Sequence, residues 1–71
     1  MRFKRHAKNK LRRIKGTWRE AESVVANPIG KDFDDEGNAL YLGYAAGVAV
    51  WVVVADDDPE VVITVFKEGR G

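Results

Sequence analysis

Three polar side chains near the start of the chain have the spacing of one helical stripe. His6, Lys10 and Arg13 are four and three residues apart, so on an α-helix they share a face. An imidazole can move a proton near neutral pH, whereas an ammonium and a guanidinium bind phosphate oxygens. The stripe predicts a site that grips and cleaves a phosphodiester, although a helix this rich in basic residues can produce such a stripe by chance.

The same segment has the pattern of an amphipathic helix. Apolar residues recur at helical spacing at Phe3, Ala7, Leu11 and Ile14. The polar stripe borders this apolar one, so we expect it where the helix meets the rest of the fold. Gly16 is expected to end the helix in a left-handed conformation, and an edge strand over 2–4 is expected to precede it.

A second helix is expected directly after the first. Thr17 and Glu20 have the spacing of a capping box, and Asn27-Pro28 predicts the end of the helix because proline disfavours helical geometry in the residue before it. Its buried stripe is predicted to consist of Trp18, Ala21, Val24 and Val25.

The rest of the chain has the pattern of a sheet. Residues 31–34 and 39–44 flank an acidic, glycine-bearing turn and predict a hairpin. The apolar runs 48–55 and 61–67 predict two further strands, with a turn at Ala46-Gly47 before the first. The fold class is therefore predicted as α+β, a single domain over 1–71 with two N-terminal helices on one face of a three- to four-stranded antiparallel sheet.

The run from Val48 to Ala55 has apolar residues on both faces of its strand. Side chains alternate between faces, so the even-numbered valines share one face and Trp51 and Val53 share the other. Two short helices can cover only one face. We therefore expect Trp51 and Val53 to contact a second copy, a partner chain or a nucleic-acid base, unless the sheet curls enough to cover itself.

Charge is divided unevenly along the chain. Positions 1–19 hold nine Lys or Arg and no acid, whereas positions 20–71 hold three Lys or Arg and eleven Asp or Glu. This asymmetry predicts that the N-terminal segment binds a polyanion or pairs with the chain's own acidic loops.

The numbers of Cys and His residues limit which kinds of functional site the chain can form. With no Cys and a single His, we expect no disulfide, no transition-metal site and no cofactor, and the Asp56–Asp58 cluster is interpreted as a solvated turn. The longest apolar run is too short to cross a bilayer, so we expect no membrane partner and a cytoplasmic location.

Several short motifs together resemble a known group of proteins. His6-Ala7, Arg13, the helix end at Asn27-Pro28 and the strand Val61–Phe66 resemble short bacterial domains related to the RelE/BrnT-like toxins of type II toxin–antitoxin systems. The resemblance implies a RelE-like helix–sheet fold, ribonuclease activity on messenger RNA and neutralisation by a co-encoded antitoxin. His6 and Arg13 are the positions that match.

The leading hypothesis is a toxin-like ribonuclease of the mRNA interferase type, in which His6, Arg13 and Lys10 are catalytic. Residues expected to bind RNA are Arg5, Arg12, Lys67, Arg70 and Tyr41. The sequence leaves open whether catalysis occurs at all. The alternatives are a non-catalytic interaction module that forms a homodimer or binds a partner through its sheet, and simple nucleic-acid binding through the first helix.

Overall fold

The sheet combines strands from both ends of the chain. A computed structural model describes residues 1–69 and shows an α+β fold with two helices and a five-stranded mixed sheet of order β1-β5-β4-β3-β2. The elements in chain order are β1 (Arg2–Phe3), α1 (Arg5–Arg13), α2 (Trp18–Ala26), β2 (Gly30–Phe33), β3 (Ala39–Ala45), β4 (Val48–Val54) and β5 (Val61–Lys67). Of the described residues, no helix has the length and apolar character needed to cross a membrane.

The number and direction of the strands differ from the prediction. Strands β2 to β5 pair antiparallel, as expected, but β1 adds a fifth strand that runs parallel to β5 through Arg2↔Val61 and Phe3↔Val62. The expected edge strand at the start of the chain is therefore present. Its partner lies at the far end of the sequence, and a strand of two residues has no periodicity that could reveal the direction of pairing.

The core lies between the helices and one face of the sheet. Val50, Val52 and Val54 of β4 are buried on this face, as the alternation predicted, and Val48 packs against the same cluster. Helix α1 packs over β5 and helix α2 over β3. Each fully buried valine contributes about 1.5–3 kcal/mol of transfer free energy, so this face supplies much of the stability of a small domain.

An irregularity in β5 decides which residues of that strand face the helices. The register shifts between Val53↔Thr64 and Val54↔Val62, which leaves Ile63 as an extra, unpaired residue. A β-bulge of this kind changes the alternation of side chains along the strand. As a result Val62 and Val65 both face the core, and Lys67, which pairs with Val50, lies on the face covered by the helices.

The end of α1 and the start of α2 correct two predictions. Lys15, not Gly16, has the left-handed conformation (φ 61°), and Gly16 instead allows close approach, since a Cβ there would lie 3.3 Å from Leu11 Cδ2. Trp18 was expected in the buried stripe, yet 53% of its surface is exposed. It is the first residue of α2, lying beside α1 instead of over the sheet.

Candidate nucleic-acid interface

Helix α1 carries basic residues on both sides of its buried stripe. Ala7 and Leu11 are fixed in the core, and this anchor determines where the polar positions point. At 3.6 residues per turn, Lys10 and Arg13 fall on one side of the stripe, whereas Lys8 and Arg12 fall on the other. The first side faces β5 and the second faces the start of α2.

A cleft of about 430 Å³ separates α1 from the end of β5. The residues that line it are Lys10, Arg13, Ile14, Val65, Phe66 and Lys67. Three of them are cations from two different elements, and Lys67 belongs to the group only because the bulge in β5 turns it toward α1. The cleft therefore combines an apolar floor with three positive charges, an arrangement suited to an anionic ligand with apolar parts.

Among the residues that the structure describes, no acid forms an ion pair with a cation of α1. The ion pairs among the described residues join Arg2 to Asp58 and the N-terminal amine to Glu22 (3.2 Å) and Glu60 (3.7 Å). None of these pairs includes a residue of α1. The alternative that the basic segment pairs with acidic loops is therefore correct for the residues before α1 and wrong for the helix itself.

Most acidic residues lie at the opposite end of the sheet. The β2–β3 turn and the β4–β5 turn lie side by side, because the Asp56 N–H donates to Asn38 Oδ1 at 2.9 Å. The Asn38 side chain in turn donates to Asp34, which lowers the pKa of that carboxyl. The Asn38 side chain therefore joins the two acidic turns to each other. The described residues contain no cluster of three His, Asp or Glu that could hold a metal ion.

The proposed catalytic residues are only partly brought together. Lys10 and Arg13 line the cleft, but His6 is exposed one turn earlier on α1 and is not among the lining residues. Residues four apart on a helix have Cβ atoms about 5–6 Å from each other, so His6 and Lys10 can reach the same phosphodiester.

The predicted RNA-binding residues fall into separate places. Lys67 lines the cleft, Arg12 lies on the other side of α1, and Arg5 is exposed at the start of the helix. Tyr41 is in β3, two strands from β5, where it packs against the core with the Lys31 Nζ 5.3 Å from its ring centroid. It therefore does not join the cleft. Arg70 lies outside the described residues.

A second basic groove lies where the sequence pattern predicts a buried Trp18. It runs between α1 and the start of α2, has a volume of about 610 Å³, and is lined by Lys8, Leu11, Arg12, Gly16, Thr17, Trp18 and Arg19. The Arg19 guanidinium carbon lies 5.3 Å from the centroid of the Trp18 ring. The Trp18-Arg19 pair that follows a basic helix is a usable signal, but the spacing of Trp18 from Ala21 and Val25 fits the apolar stripe of α2 and predicts a buried ring.

The face of the sheet away from the helices is apolar and partly exposed. On β3, β4 and β5 it carries only uncharged residues, namely Leu40, Leu42, Tyr44, Ala49, Trp51, Val53, Thr64 and Phe66. Asp32 of the edge strand β2 pairs with Leu40 and places one carboxylate at the border of this face. Tyr44 is 61% exposed and Phe66 38%, and Trp51 is half-buried. Val53 is only 6% exposed, so of the two predicted interface residues Trp51 offers the accessible surface.

Comparison with known proteins adds no further information about the site. No protein-family model, curated protein or solved structure matches the chain. The resemblance to RelE/BrnT-like toxins therefore stays a prediction.

Proposed function

We propose that the protein binds RNA in the cleft between α1 and β5. One observation carries the proposal: Lys10, Arg13 and Lys67 line one cleft, and no described carboxylate forms an ion pair with any of them. Cations that the fold leaves unpaired remain available to phosphates. Their release of counterions from a nucleic acid favours binding.

The test is the salt dependence of binding to a single-stranded RNA oligonucleotide. Replacing Lys10, Arg13 or Lys67 with Ala should each weaken binding and reduce the slope of log K against log salt by about 0.7. Lys31→Ala is the matched control, because Lys31 is an exposed cation that packs over Phe33 and Tyr41 on the other side of the molecule. Equal slopes for all four variants and the parent would rule out the cleft as the binding site.

Cleavage of the bound RNA is the stronger form of the same proposal. His6 would take the proton from a 2′-hydroxyl, whose oxygen attacks the adjacent phosphorus. The bond from phosphorus to the 5′-oxygen breaks, and this oxygen leaves with a proton from water, producing a 2′,3′-cyclic phosphate. Lys10 and Arg13 would stabilise the charge that develops on the phosphoryl oxygens. The exposure of His6 and its position one turn from Lys10 support this role.

Cleavage and binding can be separated by one substitution. His6→Ala should leave RNA affinity nearly unchanged and slow cleavage by about 100-fold or more, the usual contribution of a general base. The rates should be compared with and without ribosomes, since the resemblance implies a toxin that acts on messenger RNA. Equal cleavage by the parent and His6→Ala would rule out His6 as the general base, and no cleavage by either would leave a binding protein without catalysis.

The apolar sheet face supports a second candidate function, self-association. We propose that a second copy covers the face that carries Trp51 and Phe66. All residues of β3, β4 and β5 on this face are uncharged, and Asp32 of β2 lies at its edge beside Leu40. Two copies can therefore meet at the centre of the face without desolvating charges, and their basic helices remain on the outer sides.

The oligomeric state tests this candidate. The parent should sediment as a dimer at micromolar concentration, and Phe66→Glu should convert it to a folded monomer because it places a carboxylate in the apolar interface. Lys31→Glu, a charge change on the opposite face, should leave the dimer intact. A parent that is monomeric under these conditions would contradict the candidate.

A further inference from the structure

The groove between the two helices combines an exposed aromatic ring with unpaired cations. We call it the Trp18 groove and define it by Lys8, Leu11, Arg12, Trp18 and Arg19. It exists because α1 packs over β5 while α2 packs over β3, which leaves the start of α2 apart from α1. A second concavity, lined by Met1, Arg2, Phe3, Lys8, Leu11 and Trp18, shares three of these residues and extends the groove along α1.

Trp18 forms the wall of the groove. Its side chain is 53% exposed, whereas Leu11 beneath it is 4% exposed and closes the floor. Most large aromatic residues are buried, but a single exposed one is an ordinary feature of a protein surface and needs no explanation by itself. The groove differs from that ordinary case because the ring is bordered by cations from both helices.

The charges around the ring are free to meet a ligand. Lys8, Arg12 and Arg19 form no ion pair with a described residue, whereas Arg2 at the far end of the groove is paired with Asp58. The Arg19 guanidinium lies over the indole at 5.3 Å from its centroid. A planar cation at this distance stabilises the ring's orientation and can extend a stack of planar groups.

We propose that the Trp18 groove binds an unpaired base of single-stranded RNA, stacked on the Trp18 indole, while Lys8 and Arg12 bind the flanking phosphates. This inference rests on the proposed RNA-binding function and specifies the form of its ligand. Only a base that has left a duplex exposes its flat surface to a side chain, so the groove selects single strands. The cleft at Lys10 lies on the other side of α1, so one strand that crosses the helix can occupy both sites.

Fluorescence of Trp18 reports base stacking directly. The chain has two tryptophans, so a Trp51→Phe variant leaves Trp18 as the only tryptophan, and excitation at wavelengths longer than tyrosine absorbs isolates its emission. Adding an oligoadenylate should quench its emission, whereas an abasic oligonucleotide of the same length and charge should bind without this quenching. Equal responses to the two ligands, or none to the oligoadenylate, would overturn the proposal.

Affinities measured with Trp51 intact provide an independent test. Trp18→Leu should weaken oligoadenylate binding by about 5- to 150-fold, the effect expected when one stacked base is lost, and should leave abasic binding unchanged. Trp18→Phe retains a smaller aromatic surface and should preserve most of the affinity. If Trp18→Leu binds both ligands as the parent does, Trp18 has no role in stacking.

The outcomes separate this inference from the proposed function. If the parent binds no RNA at low salt, both are wrong. If Lys10→Ala and Lys67→Ala weaken binding but Trp18→Leu does not, the cleft stands and the stacking site is overturned. If only Trp18→Leu and Arg12→Ala weaken binding, the stacking site stands and the cleft is rejected.

Discussion

Helices α1 and α2 have nine residues each, but their ends are built differently. In α2 the Glu20 N–H donates to Thr17 Oγ1 at 3.2 Å, and the Thr17 N–H donates to Glu20 Oε1 at 2.9 Å, which completes a capping box. In α1 the N-cap position is Lys4, whose side chain makes no capping hydrogen bond, and the first turn contains no acid. The C-terminal end of α1 is closed by Lys15 in a left-handed conformation.

The comparison shows that the two helices differ in what their sequences favour. Helix α2 has the residues that stabilise a helix end locally, whereas α1 carries most of the positive charge of the two helices. Ser or Asp at the start and Gly at the end would stabilise α1 better than Lys4 and Lys15, and a positive charge near a helix N-terminus is unfavourable. Helix α1 depends instead on the burial of Ala7 and Leu11.

The largest effect is expected where α2 packs on β3. A Cβ added at Gly43 would lie 2.7 Å from Val24 Cγ2 and 2.9 Å from Val24 Cγ1. Valine is stiff about χ1 and cannot move both methyls away. Gly43→Ala should therefore lower the free energy of unfolding by about 1–3 kcal/mol, measured by urea denaturation.

A double mutant shows whether this close contact is the cause. In a Val24→Ala background, which removes both methyls, Gly43→Ala should cost much less than in the parent. A cost that is the same in both backgrounds would place the strain elsewhere. RNA affinity should not change in the folded variants, because neither Gly43 nor Val24 lines the cleft or the Trp18 groove.

The sequence predicts those parts of the fold that depend on neighbouring residues. The capping box at Thr17, the end of α2 near Pro28 and the alternation along β4 are all confirmed, since each depends on spacing within a few positions. The pairing of β1 with β5 joins the two ends of the chain, so no local pattern contains it. The same is true of the bulge at Ile63, which follows from how β5 pairs with β4.

The candidate nucleic-acid interface also combines features that depend on neighbouring residues with features that depend on distant ones. The stripe of Lys10 and Arg13 could be predicted from helical spacing, but its partner Lys67 reaches the cleft only through the bulge. The Trp18 groove depends on the helices packing over different strands. A hydrophobic pattern cannot reveal this arrangement, because it assigns Trp18 to the buried stripe by its type and spacing alone.

Removing the backbone strain of the left-handed residue at the end of α1 should stabilise the protein. Lys15 has φ 61°, a conformation that costs a residue with a Cβ about 1–2 kcal/mol and costs glycine almost nothing. Lys15→Gly should therefore raise the free energy of unfolding by about 1 kcal/mol. Lys15→Ala removes the same charge but keeps the strain, so a gain of equal size in both variants would contradict the explanation.

The capping box should make α2 sensitive to a change that α1 tolerates. Thr17→Ala removes the hydroxyl that accepts the Glu20 N–H and should cost about 1 kcal/mol of unfolding free energy, while Thr17→Ser should restore most of it. Lys4→Ala, at the corresponding position of α1, removes no cap and should leave stability nearly unchanged. Equal losses of unfolding free energy from Thr17→Ala and Lys4→Ala would show that the two N-cap positions do not differ in their contribution to stability.

The smallest effect is a pH dependence that belongs to Glu20 in α2. The pKa of its carboxyl lies below its ordinary value of 4.5, first because the Ala46 N–H donates to Oε2 at 2.9 Å and then because the Thr17 N–H donates to Oε1. A lowered pKa in the folded state stabilises the protein at pH values above 4.5, and this stabilisation is lost as pH falls below 4.5 through the lowered pKa.

Glu20→Gln isolates this contribution, because glutamine keeps an acceptor oxygen but does not titrate. The parent should be more stable than Glu20→Gln near neutral pH, and the difference should shrink as the pH falls below 4.5. The pKa of Asp34 is lowered too, but it titrates in both proteins and cancels from the difference. A difference that stays constant with pH would show that the Glu20 charge adds nothing to the bond with Ala46. In that case the capping box and the link to the β3–β4 turn would depend on neutral hydrogen bonds alone.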